Sequence, residues 1–100
     1  MPSAVRLGDR TTGHGCWPPT QLASASSNVI INGIGAVRLG DNIVPHCCVS
    51  CHDGVQSSAS PNVIVNGNAI ARVGDNISCG DSNAEGSPNV IVNWKGNNEY

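Results

Sequence analysis

A chain of 100 residues is one domain's length and can bury only a modest core. With no Phe and only three aromatic residues, Val, Ile and Ala must carry the apolar packing, and a cross-link is expected to supplement it. Five basic residues against seven acidic ones give a net charge of -2 with no run of either sign, which excludes the basic patch that a nucleic-acid partner needs.

The elements recur. "AVRLGD" at 4–9 returns letter for letter at 36–41, and "IARVGD" follows at 70–75. "NVIING" at 28–33 is echoed by "NVIVNG" at 62–67 and "NVIVNW" at 89–94. Three units of about 4–33, 36–67 and 70–94 therefore make one repeat domain over 1–94, with a tail at 95–100. Asn32-Gly33 and Asn66-Gly67 each stand between β-branched segments, the pattern of a two-residue hairpin whose turn positions both take positive φ. Each following strand ends at Gly-Asp, where an Asp side chain can bond the backbone and stop the strand. Gly, Pro, Asn and β-branched residues punctuate every window, so the spacing predicts short antiparallel strands and no helix.

Between Gly-Asp and Asn-Val run three loops rich in Ser and Pro. They hold all three His and all five Cys (16, 47, 48, 51 and 79). His14 lies five residues after Asp9, His46 five after Asp41, and Cys79 four after Asp75; His52 lies further along loop two. Three pseudo-equivalent loops thus present a nitrogen or sulfur donor at nearly one offset. His14, His46, His52 and Cys79 make a closed four-donor set suited to structural zinc, with iron a possible occupant. Cys47, Cys48 and Cys51 stand as alternative ligands able to replace His46 or His52. Cys16, leading into Trp17-Pro18-Pro19, reads as a small packed thiol. An odd number of cysteines, with no apolar leader in "MPSAVRLGD", favours metal binding over bridging and predicts synthesis in the cytoplasm without a signal peptide.

Two other readings fall away. Cys48-Val49-Ser50-Cys51-His52 spells the haem attachment motif, but Phe is absent and the single Met is Met1, so neither an aromatic haem pocket nor a second axial ligand suggests itself. Asp9, Asp41 and Asp75 could be taken for catalytic carboxylates, yet one strand-end role explains all three through the repeat. No nucleophile elbow or phosphate-cradling glycine loop is present.

Taken together, the Ala-x-Arg-x-Gly-Asp blocks, the His/Cys loops and the Asn-Val blocks with their Asn-Gly turns resemble the PAAR-repeat family across about 95 residues. The resemblance implies an all-β cone of three hairpin repeats with approximate threefold symmetry and a metal site near its tip. It implies a non-enzymatic sharp tip that caps the trimeric β-helical spike of a contractile phage tail or type VI secretion system. The partner would be a central spike or VgrG-like protein, with one chain per trimer. The cone would help pierce the target cell outer membrane and sit at the virion tail tip or be secreted on the apparatus. Zinc held by His14, His46, His52 and Cys79 belongs to the same resemblance. The broad, spike-binding base would then comprise Asn28, Val29, Ile30, Ile31, Asn62, Val63, Ile64, Val65, Asn89, Val90, Ile91 and Val92. Ending at Tyr100, the chain resembles a stand-alone tip; the alternative is a small metal-dependent enzyme or toxin delivered by the same kind of machine.

Overall fold

A computed structural model describes residues 2–60 and 63–92. Asn62, the end of the third Asn-Val-Ile block beyond Val92, and the 95–100 tail lie outside the described residues.

The Asn-Gly pairs do what their chemistry predicts. Asn32 and Gly33 take φ of 53° and 79°, and Asn66 and Gly67 take 52° and 82°, the paired left-handed conformation of a tight hairpin. Across the first turn β1 (Ile30–Ile31) pairs antiparallel with β2 (Ile34–Gly35). Loop two contains a hairpin of its own, β3 (His46–Cys48) with β4 (Ser50–His52), turning on Val49 at φ 65°. Across the Asn66-Gly67 turn β5 (Ile64–Val65) pairs with β6 (Asn68–Ala69). No helix occurs among the described residues.

Pairs this short are not stable alone. What joins them is a set of hydrogen bonds that repeats from unit to unit. Val5 N–H donates to Ala71 O at 3.1 Å, Ala71 N–H to Val37 O at 2.9 Å, and Val37 N–H back to Val5 O at 3.0 Å. The same closed circuit runs one residue pair away, with Leu7 donating to Gly35, Leu39 to Ala69, and Val73 to Ser3. Each unit therefore depends on a neighbour for its backbone pairing, and the third returns to the first.

The core has two layers beside that ring. Ala4, Ile31, Ala36, Val65, Ile70 and Val92 form one; Val5, Leu22, Val37, Ile43, Ala71 and Ile77 form the other, with Cys79 packed against it. Leu22 has Gln56 and Asn83 as its repeat counterparts, each bonding the aspartate backbone of its own unit in the same way. Those two buried amides satisfy each other through bonds of 2.9 and 2.8 Å, and Asn83 also donates to Arg72 O at 3.0 Å.

The Gly-Asp aspartates are structural. Asp9, Asp41 and Asp75 each accept from the backbone N–H and the guanidinium of the arginine three residues earlier, at 2.7–3.0 Å. The Arg72–Asp75 pair is almost fully buried, whereas Arg6 and Arg38 stay partly exposed.

The Asn-Val-Ile blocks divide into two faces. Ile31, Val65 and Val92, three members of the expected base, point inward at 6, 5 and 4% exposure and belong to the core. Val29, Ile30, Val63, Ile64, Val90 and Ile91 stay open, the isoleucines at 54, 58 and 48%. Asn28 and Asn89 lie beside them and accept from the turn amides Asn66 and Asn32, at 2.9 Å each.

Candidate metal centre

Each donor is presented by tight local geometry. His14 heads a turn in which its N–H donates to Trp17 O at 3.0 Å and Trp17 N–H donates back to His14 O at 2.8 Å. Gly13 permits that turn: its φ is 77°, and a Cβ would sit 2.9 Å from both Pro19 N and Trp17 O. His46 and His52 are direct register partners across β3–β4, so one hairpin brings two imidazoles together, edge to face with ring centres 4.5 Å apart. Cys79 lies in the turn closed by Gly80 N–H to Ile77 O at 3.0 Å.

The four side chains converge. One ligand atom from each of His14, His46, His52 and Cys79 falls within 4.8 Å of all the others. His46 Nε2 is 2.6 Å from His52 Nε2, which is 3.1 Å from His14 Nε2. His46 is buried and the other three are half-buried. Its Nδ1 faces the Pro18 carbonyl at 2.8 Å; a carbonyl only accepts, so Nδ1 carries the proton and Nε2 keeps its lone pair toward the cluster. The Trp17 ring stacks on His52 at 4.6 Å and on His14 at 5.3 Å, and its Nε1–H donates to Ser50 O at 3.1 Å.

Electrostatics favour a neutral His52. Burial lowers the His52 pKa, and the neighbouring His46 and His14 lower it further against the weaker pull of Asp53 and Asp81. Asp81 is 1% exposed and accepts at Oδ1 from Thr12 Oγ1 at 3.0 Å and from the Gly13 and Ser82 N–H groups at 2.8 Å each. Burial alone would raise its pKa, but the donors around it, Thr11, Ser82, Thr12 and Gly13, hold it below the usual carboxylate value. An anchored carboxylate thus ties loop one to loop three one residue from His14 and two from Cys79.

The donor set suits a small soft or borderline cation. Tetrahedral zinc would separate its nitrogen and sulfur ligands by about 3.3–3.6 Å. The two nitrogen–nitrogen distances of 2.6 and 3.1 Å are somewhat shorter and all four donors lie within 4.8 Å of one another, while three imidazole nitrogens with one thiol match the chemistry.

The remaining cysteines pair with each other. Cys16 is bonded to Cys48, with Cα atoms 5.8 Å apart, and Cys47 to Cys51 across the hairpin, with Cα atoms 4.0 Å apart. Cys16 is therefore a cross-link and not a packed thiol. Cys47, Cys48 and Cys51, left open by the sequence as alternative ligands, have no thiolate to offer while so bonded; Cys79 is the free cysteine. The Cys16–Cys48 pairing could not be read from spacing because it requires Cα atoms from separate loops to approach within bridging distance, and Cys47–Cys51 depends on the β3–β4 hairpin.

Several supporting residues went unsingled by sequence reasoning. Trp17, Pro18 and Asp81 act through contacts between loops. Gly54 is buried against Cys79, and a Cβ there would stand 2.9 Å from Ile77 Cγ2 and 3.1 Å from Cys79 Sγ. A glycine two residues after His52, in a loop with no positive-φ requirement, was the available signal.

A search of curated proteins returned no match. The PAAR motif family model matches residues 12–84 and 52–96. This chain belongs to the PAAR-motif family. Together the two matches cover residues 12–96, reach into all three repeats and contain every member of the His/Cys cluster. Membership is consistent with a spike-tip protein of contractile injection systems and with association with a spike protein. It also fits a structural, non-enzymatic protein found at a tail tip or on a secretion apparatus.

Proposed function

We propose that this PAAR protein is a metal-stabilised tip that caps a trimeric β-helical spike, one chain per trimer, and helps the spike breach a target cell envelope. The observation that carries the reading is the set of six exposed Val and Ile side chains, two from each repeat, beside a single core layer. Unpaired strand edges with exposed β-branched residues are a liability unless something covers them. Three like edges joined by a closed circuit of hydrogen bonds suit a partner with three identical chains, which would dock by strand addition or flat apolar packing.

The His/Cys cluster adjoins the other core layer through Cys79. Under this reading His14, His46, His52 and Cys79 hold a zinc or iron ion that fastens three loops where too few apolar residues meet to do so. A bound zinc would supply a rigid cross-link; structural zinc in small domains contributes about 10–16 kcal/mol apparent. Pro18 O orients His46, and Trp17 covers two imidazoles. Four protein donors fill zinc's usual coordination, which supports a structural role over the enzyme or toxin alternative. A shallow cavity of about 290 Å³ lined by Arg10, Pro19, Thr20 and Gln21 includes none of the four.

Mixing the protein with a recombinant trimeric spike should give a complex of one chain per trimer by native mass spectrometry. Ile30→Glu, Ile64→Glu and Ile91→Glu combined should abolish it while leaving metal content at about one ion per chain. Undiminished binding by that variant would remove the proposed base.

A further inference from the structure

The Cys16–Cys48 bond joins repeat-equivalent positions. Cys16 lies seven residues after Asp9 and Cys48 seven after Asp41, and each follows a cluster histidine by two residues. The second bond is as close to the site: Cys47 follows His46, Cys51 precedes His52, and the two pairs are adjacent rungs of one hairpin. Three imidazoles are thus mounted on a covalently closed frame, while Cys79 arrives from loop three with no such tie.

Beyond Cys16 loop one forms a strap. From Cys16 the chain passes to Trp17, whose ring lies over His52 and His14 and whose Nε1–H reaches Ser50 O of loop two. It continues to Pro18, whose carbonyl holds His46. On the strap side these contacts are made by the half-exposed Trp17 and the exposed Pro18, and each alone is weak and breakable. Only the disulfide makes the strap's attachment to loop two permanent.

Resting on the metal reading above, we propose that Cys16–Cys48 is a redox latch on the metal site: oxidised, it closes the Trp17-Pro18 strap over the cluster and traps the ion; reduced, it lets the strap lift and the ion exchange. Closure is a two-electron oxidation. The Cys16 and Cys48 thiols lose two hydrogens and form one S–S bond, while a small-molecule disulfide such as oxidised glutathione is cleaved to two thiols and takes up both. In a thiol-rich medium the site is open for loading, and in an oxidising medium it is shut. Coupling is reciprocal: an ion holding loops one and two together also makes the Cys16–Cys48 bond harder to reduce.

The test is the rate at which a zinc-loaded sample surrenders its ion to a colorimetric chelator. Cys16→Ser combined with Cys48→Ser removes the latch and adds no competing thiol. Its release should be faster than wild type by about tenfold or more, in line with the entropy cost of closing a 32-residue separation. Cys47→Ser combined with Cys51→Ser keeps the latch, and its release should speed up when a phosphine reductant is added, because the bond then left to cleave is Cys16–Cys48. To guard against a misfolded variant, wild type is also titrated with the phosphine and followed by native mass spectrometry. With the chelator present, molecules that have lost the Cys16–Cys48 bond should be those that have lost zinc. Equal release from wild type and the latch variant, both loaded, or zinc retained after reduction of that bond, overturns the latch alone. Failure of every form to bind about one ion per chain overturns the metal reading and the latch with it.

Discussion

Gly54 shows how the cluster depends on a residue that donates nothing. With Ile77 and Cys79 packed where a methyl group would go, Gly54→Ala must push one of them aside. Residues that position metal ligands typically change affinity by about 10–100-fold. Gly54→Ala is therefore expected to weaken zinc binding by at least about tenfold, read by chelator competition, with Cys79 more open to thiol-labelling reagents. His52 gives a pH signature at the same scale. Its folded pKa is lowered by burial and by His46 and His14, so unfolding raises its proton affinity. The resulting stability is intact above the unfolded value of about 6.5 and is lost as pH falls through it toward the lower folded value. Melting of the metal-free protein should therefore fall between pH 7.5 and 5.5, and His52→Gln should flatten that slope.

Among the elements, the two Asn-Gly hairpins were legible because their turn residues declare a backbone conformation that few others tolerate. The β3–β4 hairpin was not. Its segment, His-Cys-Cys-Val-Ser-Cys-His, lacks alternating β-branched residues and turns on Val49, a side chain that disfavours positive φ. A disulfide and converging imidazoles hold it, and neither can be read from local propensity. The convergence of His14, His46, His52 and Cys79 was foreshadowed by their offsets from the Gly-Asp blocks, whereas the strap over them depends on contacts between loops. Small departures from the repeat also carry meaning. Ser26 and Ser87 are buried hydroxyls that accept from the N–H groups two and three residues on. Pro88 follows Ser87, but Ser27 follows Ser26. Ser27 has no positive φ, and its N–H donates to no group among the described residues. Ser27→Pro should thus stabilise the fold by about 0.4–1 kcal/mol, raising the melting temperature by a few degrees in calorimetry.

For the molecule as a whole, an almost aromatic-free core shifts responsibility to cross-links. Under the metal reading, stripping the ion with a chelator at neutral pH should lower the melting temperature by more than about 10 °C. Adding reductant as well should lower it further, because the two disulfides brace the same loops. An unchanged melt after verified metal removal would mean that the packing of Val, Ile and Ala suffices alone.

The hydrogen-bond circuit through Val5, Val37 and Ala71 sets a timetable for biogenesis. That circle is not closed until residues sixty-six positions apart have met, so segments emerging early from the ribosome can form only part of it. Synthesis must nearly finish before any part becomes native, and folding should be slow, all-or-none and intolerant of losing a single repeat.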